Sequence, residues 1–241
     1  MSVFFISDLH LQAERPDITR AFVHFIQTTA KHAKQLYILG DLFEAWIGDD
    51  MPVPEFEHVF SSLKNLSSSG CQIYFQCGNR DFLVGQQLMA RIGATLLSDK
   101  AIVSLPVGPA LLMHGDQLCT DDIEYQSFRE MVRNPAWQQD FIDKPLKERI
   151  AIAKQLRNAS KARGMEKADE IMDVNAQAVE TAFKNANVDL IIHGHTHRPN
   201  IHTIAIDGHC RSRIVLGDWD HSLWYLSCDA NGLNLVDEPI S

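Results

Sequence analysis

The chain has 241 residues, 45% of them hydrophobic, and a formal net charge of −9. That length suits one large domain or a domain carrying a substantial insertion, and the apolar content argues against disorder. The acidic balance excludes a general nucleic-acid coat, and no apolar run reaches the ~18 residues that a membrane-spanning helix needs.

Val3-Phe4-Phe5-Ile6 reads as a buried strand and leads into Asp8-Leu9-His10. An amino end that enters a strand without a basic region and a long apolar core predicts that no secretory signal is present. Apolar residues at Ile18, Phe22 and Phe25 have helical spacing, and helices are expected over Thr19–Lys34 and Glu55–Ser68. Leu36-Tyr37-Ile38-Leu39 leads into Gly40-Asp41, and Ile73-Tyr74-Phe75 into Gly78-Asn79-Arg80-Asp81. Leu111-Leu112-Met113 leads into His114-Gly115-Asp116. From about Cys119 to Asn175 no convincing strand is legible. Helical stretches punctuated by Pro135, Pro145 and Gly164 predict an inserted cap over the strand rim. Helical pattern resumes through Ala176–Asn185, and Leu190-Ile191-Ile192 leads into His193-Gly194-His195-Thr196-His197. Arg213–Leu216 and Leu223–Ser227 read as further antiparallel strands, with a terminal hairpin turning at Ala230-Asn231-Gly232. Strands alternating with helices predict an α/β fold.

Cys71, Cys77, Cys119, Cys210 and Cys228 are odd in number and lie in or beside apolar runs, as reduced structural thiols of a cytosolic protein do. None sits among the polar groups at the strand ends, which disfavours a structural zinc site. Seven nitrogen and oxygen donors do sit there: Asp8, His10, Asp41, Asn79, His114, His195 and His197. Open α/β sheets place ligands just beyond the carboxyl ends of their strands. Seven donors at five such ends suffice for two metal ions sharing a carboxylate. Any one of them alone reads equally well as a turn or cap residue. Asp8 and His10 are two apart, as are His195 and His197, so on an extended chain each pair faces one way. Carboxylate, imidazole and amide donors together suit Mn(II), Fe or Zn better than Mg. Asp81 and Asp116 are expected either to orient ligands or to cap turns.

The series Asp8-x-His10, Gly40-Asp41-x-x-Glu44, Gly78-Asn79-Arg80-Asp81, His114-Gly115-Asp116 and Gly194-His195-x-His197 resembles the calcineurin-like metallophosphoesterases. That resemblance implies a four-layer α/β/β/α sandwich, here with the inserted helical cap, and a binuclear centre. One ion would take Asp8, His10, Asp41 and His197; the other would take Asp41, Asn79, His114 and His195, with Asp41 bridging. Such ions sit ~3.5–4 Å apart, generate hydroxide near neutral pH and clamp phosphoryl oxygens. Phosphatases of the superfamily commonly carry His where this chain has Arg80. A histidine can protonate a departing alkoxide, whereas Arg effectively cannot and instead offers a fixed fork of donors to a phosphate oxygen. A leaving group that departs without a proton, such as a phosphate monoester from a pyrophosphate, suits that exchange.

Longer strings narrow the resemblance: Leu39-Gly-Asp-Leu-Phe-Glu-Ala-Trp-Ile-Gly-Asp49, Gly78-Asn-Arg-Asp-Phe82, His114-Gly-Asp-Gln-Leu-Cys-Thr-Asp-Asp122, Ile171-Met-Asp-Val-Asn175 and His193-Gly-His-Thr-His-Arg-Pro199. Across nearly the whole chain they resemble the UDP-2,3-diacylglucosamine hydrolase family of the bacterial lipid A pathway. That family implies two Mn(II) ions per chain and peripheral association with the cytoplasmic face of the inner membrane. It also implies attack on the UMP-side phosphorus, which releases UMP and 2,3-diacylglucosamine 1-phosphate (lipid X). By position, Asn79, Arg80, Asp122, Ser160, Gly164, Lys167 and His195 would contact substrate, with Arg80, Asp41 and His195 carrying the catalysis. Gly164 departs from the polar residue often found there, which leaves only backbone contact at that point. Residues 1–118 and 176–241 would form the phosphoesterase core, and 119–175 the cap. Lys144–Lys167 holds eight basic residues and two acidic ones, and Leu146, Ile150 and Ala153 recur there at helical spacing. A basic, partly apolar helix suits an anionic amphiphile or an anionic membrane surface; a solvated face and inward packing remain the plain alternatives. A soluble nucleotide-sugar or ADP-ribose type diphosphatase would share the centre without needing that cap. A non-enzymatic metal scaffold would have no use for Arg80.

Overall fold

The computed structural model describes residues 2–166 and 173–240, with side chains outside 159–166. Eleven strands among these residues form two sheets. The first has β1 (Val3–Ile6), β2 (Gln35–Leu39), β3 (Gln72–Gln76) and β4 (Ala94–Leu96) in parallel, with β10 (Ser222–Asp229) and β11 (Gly232–Pro239) antiparallel on the other side of β1. The second runs β5 (Ala101–Leu105), β6 (Gly108–Leu112), β7 (Leu190–His193), β9 (His209–Val215) and β8 (Asn200–Ile206).

Three apolar clusters stack these parts into four layers. On the outer face of the first sheet, Phe4, Ile6, Leu36, Ile38, Ile73 and Phe75 pack against α1 (Pro16–Gln27), α2 (Glu57–Ser68) and α3 (Gln86–Ile92). Alternate residues of the same strands, Val3, Phe5, Tyr37 and Leu39, meet Ala110, Leu112, Leu190, Ile192 and Ile214 between the sheets. Leu111 and Ile191 face away from that layer, onto Val179, Ala182 and Phe183 of α7 (Ala176–Ala186). Period-two alternation with both faces covered explains why these strands read as unbroken apolar runs. The result is the α/β/β/α sandwich.

Some sequence expectations are corrected. The first helix stops at Gln27 instead of Lys34, because the Ala30 amide bonds the Phe25 carbonyl five residues back and the Thr28 hydroxyl bonds the His24 carbonyl. The strand containing Arg213 is antiparallel only to β8; on its other side it runs parallel to β7. Strands β10 and β11 form the terminal hairpin, Asp229 opposite Gly232. Strands β4, β5 and β8 and helix α3 are additions that the apolar pattern did not reveal.

Between β6 and α7 the described residues form α4 (Ile123–Val132), α5 (Pro135–Ile142) and α6 (Leu146–Glu166). Leu146 and Ala153 turn inward onto the first cluster, whereas Ile150 remains about half exposed. Arg149, almost fully buried, donates to the Ile47 carbonyl over 2.8 Å and pairs with Asp50, fastening α6 to the loop after β2. Part of the basic run therefore anchors the helix. Among the described residues no helix is long and apolar enough to cross a membrane, and all five cysteines are free, Cys210 being exposed.

Candidate metal centre

Parallel strands deliver their carboxyl ends to one rim. The loops after β1, β2 and β3 in the first sheet meet those after β6 and β7 in the second, and all seven donors stand there. Backbone bonds lace the loops together: Asp8 N to Gly40 O at 3.1 Å, His10 N to Asp41 O at 3.0 Å, and Gly194 N to His114 O at 2.8 Å.

The paired spacing does not work by extended-chain alternation. Asp8, His10, Asp41, His195 and His197 all have positive φ, between 49° and 69°, although none is glycine. This left-handed region is costly for residues with a Cβ and clusters at functional sites. Each such residue turns the chain sharply, so that successive side chains enter the pocket from the rim. The neighbouring glycines leave the room. A Cβ on Gly78 would lie 2.1 Å from Asp41 Oδ1, and one on Gly194 would lie 2.1 Å from Asp8 Oδ2.

The donor atoms form two adjoining groups. Asp8, His10 and His197 can offer ligand atoms within 4.8 Å of one another, and so can Asp8, Asp41 and His114. His10 Nε2 is 3.4 Å from His197 Nε2, which is itself 3.4 Å from Asp8 Oδ1. Asp41 Oδ2 lies between the groups, 4.0 Å from His10 Nε2 and 3.7 Å from His114 Nε2. Asn79 Oδ1 is 2.8 Å from His114 Nε2 and 2.9 Å from His195 Nδ1.

The far nitrogens of three rings face acceptors. His10 Nδ1 stands 2.8 Å from Glu44 Oε2, His114 Nδ1 2.8 Å from Leu39 O, and His197 Nδ1 3.5 Å from Asp218 Oδ2. Of these contacts the His114 one is a hydrogen bond, and the Glu44 and Asp218 charges favour a proton on Nδ1 of His10 and His197. A proton there leaves each Nε2 lone pair aimed inward, the usual arrangement of metal-bound histidine. Asp8 Oδ1 is buried and makes no hydrogen bond to the described residues. Such an orphaned oxygen beside two converging imidazole nitrogens fits a divalent cation.

The electrostatics agree. Burial works against a charged His10, but the Glu44 contact and the Asp41 and Asp8 carboxylates raise its pKa to about 9. His114 and His197 are likewise raised despite burial, by Asp41 and Asp8 and by Asp8 respectively. Burial would raise Asp8, yet His197, His114 and His10 hold it well below the usual carboxylate range. A pocket whose field draws protons onto three imidazoles also draws a metal ion, which displaces those protons. Burial and the neighbouring His114 push His195 down to about 4, leaving a neutral ring.

Asp81 both caps and orients. Its Oδ1 accepts from the Gly78 and Asp41 amides at 2.8 and 3.2 Å, and its Oδ2 from the Leu42 amide at 2.8 Å. Burial, then the Asp41 charge, raises it to about 6. Asp116 is held instead by Tyr125 and Arg129 of α4. Arg80 gives its amide to Asp41 Oδ1 at 2.7 Å, while its buried side-chain Nε has no hydrogen-bond partner among the described residues. Asp122 caps α4, accepting from the Tyr125 amide at 2.9 Å. Ser160 and Gly164 fall on α6, where side-chain surroundings are outside the described portion, and Lys167 lies outside the described residues. Glu44 stood in the sequence series without a role; Asp218 and Tyr125 carried no signal there.

The chain matches the calcineurin-like phosphoesterase family over residues 1–199. It is 50% identical to the UDP-2,3-diacylglucosamine hydrolase of Marinobacter nauticus, over 96% of this chain and 95% of that one. The enzyme of that name from Cellvibrio japonicus is 49% identical, over 98% of both chains, and that from Pseudomonas paraeruginosa 49% identical over the full length of both. With this rim of donors and these relatives, the chain belongs to the calcineurin-like phosphoesterases and, within them, to the UDP-2,3-diacylglucosamine hydrolase family.

Proposed function

We propose that this protein hydrolyses the pyrophosphate bond of UDP-2,3-diacylglucosamine to UMP and lipid X, in lipid A biosynthesis, with two Mn(II) ions. The observation that carries the reading is Asp41 Oδ2, set between His10 Nε2 and His114 Nε2 in a chain about half identical to full-length relatives of that name. Asp8, His10, Asp41 and His197 would hold one ion, and Asp41, Asn79, His114 and His195 the other. Such ions, when bound, acidify water and neutralise phosphoryl oxygens. Asp41 fixes the spacing of the two halves, and the neutral His195 presents an uncharged donor. The unpartnered Nε of Arg80 supports a role in gripping a pyrophosphate oxygen as charge builds on the leaving phosphate.

The cap in this proposal is 119–175, and it receives the acyl chains. Exposed Ile123, Met131, Ile142 and Ile150 on α4, α5 and α6 support that, as does exposed Lys147 and Lys154 beside them. The same surface suits a peripheral stay on the anionic cytoplasmic face of the inner membrane. Asn79, Arg80, Asp122, Ser160, Gly164, Lys167 and His195 would contact the substrate.

The deciding experiment compares UDP-2,3-diacylglucosamine with UDP-N-acetylglucosamine, reading products by mass spectrometry after chelation and Mn(II) return. Burial contributes roughly 0.8 kcal/mol per CH₂, so two long chains should separate the substrates by several powers of ten in kcat/KM. Equal rates would favour a soluble diphosphatase.

A further inference from the structure

Helix α4 crosses the rim and touches loops from both sheets. Tyr125, Arg129 and Arg133, the residue that caps the C-terminus of α4, recur every four residues and follow one face of that helix. The Tyr125 hydroxyl donates to Asp116 Oδ2 over 2.8 Å, and its ring lies along the His195 imidazole, centroids 5.9 Å apart and planes 28° apart. Arg129 Nε donates to the same Asp116 oxygen at 2.8 Å, and its Nη2 to Asp99 at 2.7 Å. Asp116, fully buried, stands two residues beyond His114.

One turn further on, Arg133 Nη2 donates to the carbonyls of Cys77 and Gly78 at 3.2 and 2.9 Å, just before Asn79. Its Nη1 reaches Asp99 at 3.3 Å, and its guanidinium stands 5.9 Å from the Phe82 ring centroid. One helix face therefore engages the loop of Asn79 from the first sheet and the loops of His114 and His195 from the second. The other donors are supported elsewhere: Asp8 by the Ser7 hydroxyl and the His195 amide, His10 by Glu44, and His197 by Asp218. Glu44 in turn pairs with Arg157 of α6 at 2.5 Å.

We infer that α4 is a strut for one half of the metal centre, with Tyr125, Arg129 and Arg133 as positioning residues for Asn79, His114 and His195. This rests on the two-ion reading above. The ligands in question come from two separate sheets, so packing within either sheet cannot set their mutual distance. A helix bonded to both loops adds to the direct cross-sheet contacts of His114 Nδ1 with Leu39 O and of the His195 amide with Asp8 Oδ2 in setting it. Arg133 suits the task because its planar fork spans two adjacent carbonyls and a carboxylate, which a lysine's point charge cannot do. Helix α6 supports the opposite half through Arg157, Glu44 and His10.

The test is calorimetric titration of chelator-stripped, full-length protein with Mn(II). Wild type should take up two equivalents. Loss of a group that orients a metal ligand typically costs ~10–100-fold in metal affinity. Tyr125→Phe and Arg133→Met should each weaken one equivalent by about that factor and leave the other unchanged, with Arg133→Lys recovering part of it. Arg157→Met should weaken the other equivalent, and the Arg133→Met/Arg157→Met double variant should weaken both. Circular dichroism checks folding; if Arg133→Met fails to fold, Tyr125→Phe, which removes one oxygen, decides. Two unchanged equivalents in Tyr125→Phe, or equal loss of both in a folded single variant, would overturn the inference. A wild type that takes up a single equivalent would instead refute the two-ion reading beneath it.

Discussion

Glu44 Oε2 stands 2.8 Å from His10 Nδ1, on the side of the ring opposite the pocket. The contact joins a half-buried carboxylate to a candidate ligand, and Arg157 of α6 completes the chain on the other carboxylate oxygen. Glu44→Gln keeps a hydrogen-bond acceptor but removes the charge that helps raise His10 to about 9. Mn(II) affinity should fall ~10–100-fold, measured by calorimetry on the stripped protein. Unchanged affinity would mean that Glu44 serves the fold alone.

In the proposed centre Asp41 would bridge both halves. Asp41→Ala should therefore remove the centre as a whole, leaving protein that Mn(II) does not reactivate after chelation. Single replacements such as His10→Ala or Asn79→Ala should each cost several orders of magnitude in kcat while the Asp41 variant alone fails to recover at any Mn(II) concentration. Full activity in metal-free wild type would contradict the two-metal reading.

Gly78 marks how little space the centre leaves. A methyl there would meet Asp41 Oδ1 at 2.1 Å and the Asp41 amide at 2.5 Å, neither on a flexible side-chain end free to move away. Gly78→Ala should abolish activity and metal uptake together, whereas Gly70→Ala, whose Cβ would meet nothing within 4 Å, should keep both and lose only melting temperature through its positive φ. Retention of metal by Gly78→Ala would show that the Asp41 loop can shift.

Much of this was legible in the sequence because the central strands are covered on both faces. Ile6, Ile38, Phe75, Leu112 and Ile192 all lie in layers buried from either side, so their runs are continuous and end cleanly at a polar donor. Strands β5 and β8 are edges of the second sheet, and their burial alternates; Ile102 is 58% exposed and Ile201 48%. Such strands leave a weaker mark. The donors themselves were visible as residue types at strand ends, but the left-handed turns at Asp8, His10, Asp41, His195 and His197 were not. Supports such as Tyr125 and Asp218 meet the site only through tertiary packing, and nothing local announces them.

The Arg149–Asp50 pair sets a pH dependence. Arg149 holds the Asp50 carboxyl below its ordinary value of 3.8. A depressed folded-state pKa contributes stability above the unfolded value and loses it as pH falls through the folded one. Asp50 is largely exposed, so the effect is modest. Asp50→Asn should melt below wild type at pH 7, with the gap closing as pH drops beneath 3.8. A gap that persists at low pH would assign the loss to packing instead of charge.

In the proposed reaction Arg80 would grip the phosphate that leaves. Its amide is bound to Asp41 Oδ1 at 2.7 Å, which fixes its backbone beside the metal rim, while its Nε has no hydrogen-bond partner among the described residues. Holding a pyrophosphate oxygen, it would stabilise charge that accumulates as the bond to the lipid X phosphate breaks, without giving up a proton. A contact strengthened in the transition state acts on kcat, so Arg80→Ala should lower kcat ~10–100-fold, the range for a hydrogen bond to a charged group, and change KM far less. Hydrolysis in ¹⁸O-water should place the label in UMP and leave lipid X unlabelled. Simple alkyl phosphates should react poorly, since their alkoxide would depart unprotonated. Label in lipid X would reverse the direction of attack, and brisk cleavage of an alkyl phosphate would remove the role given to Arg80.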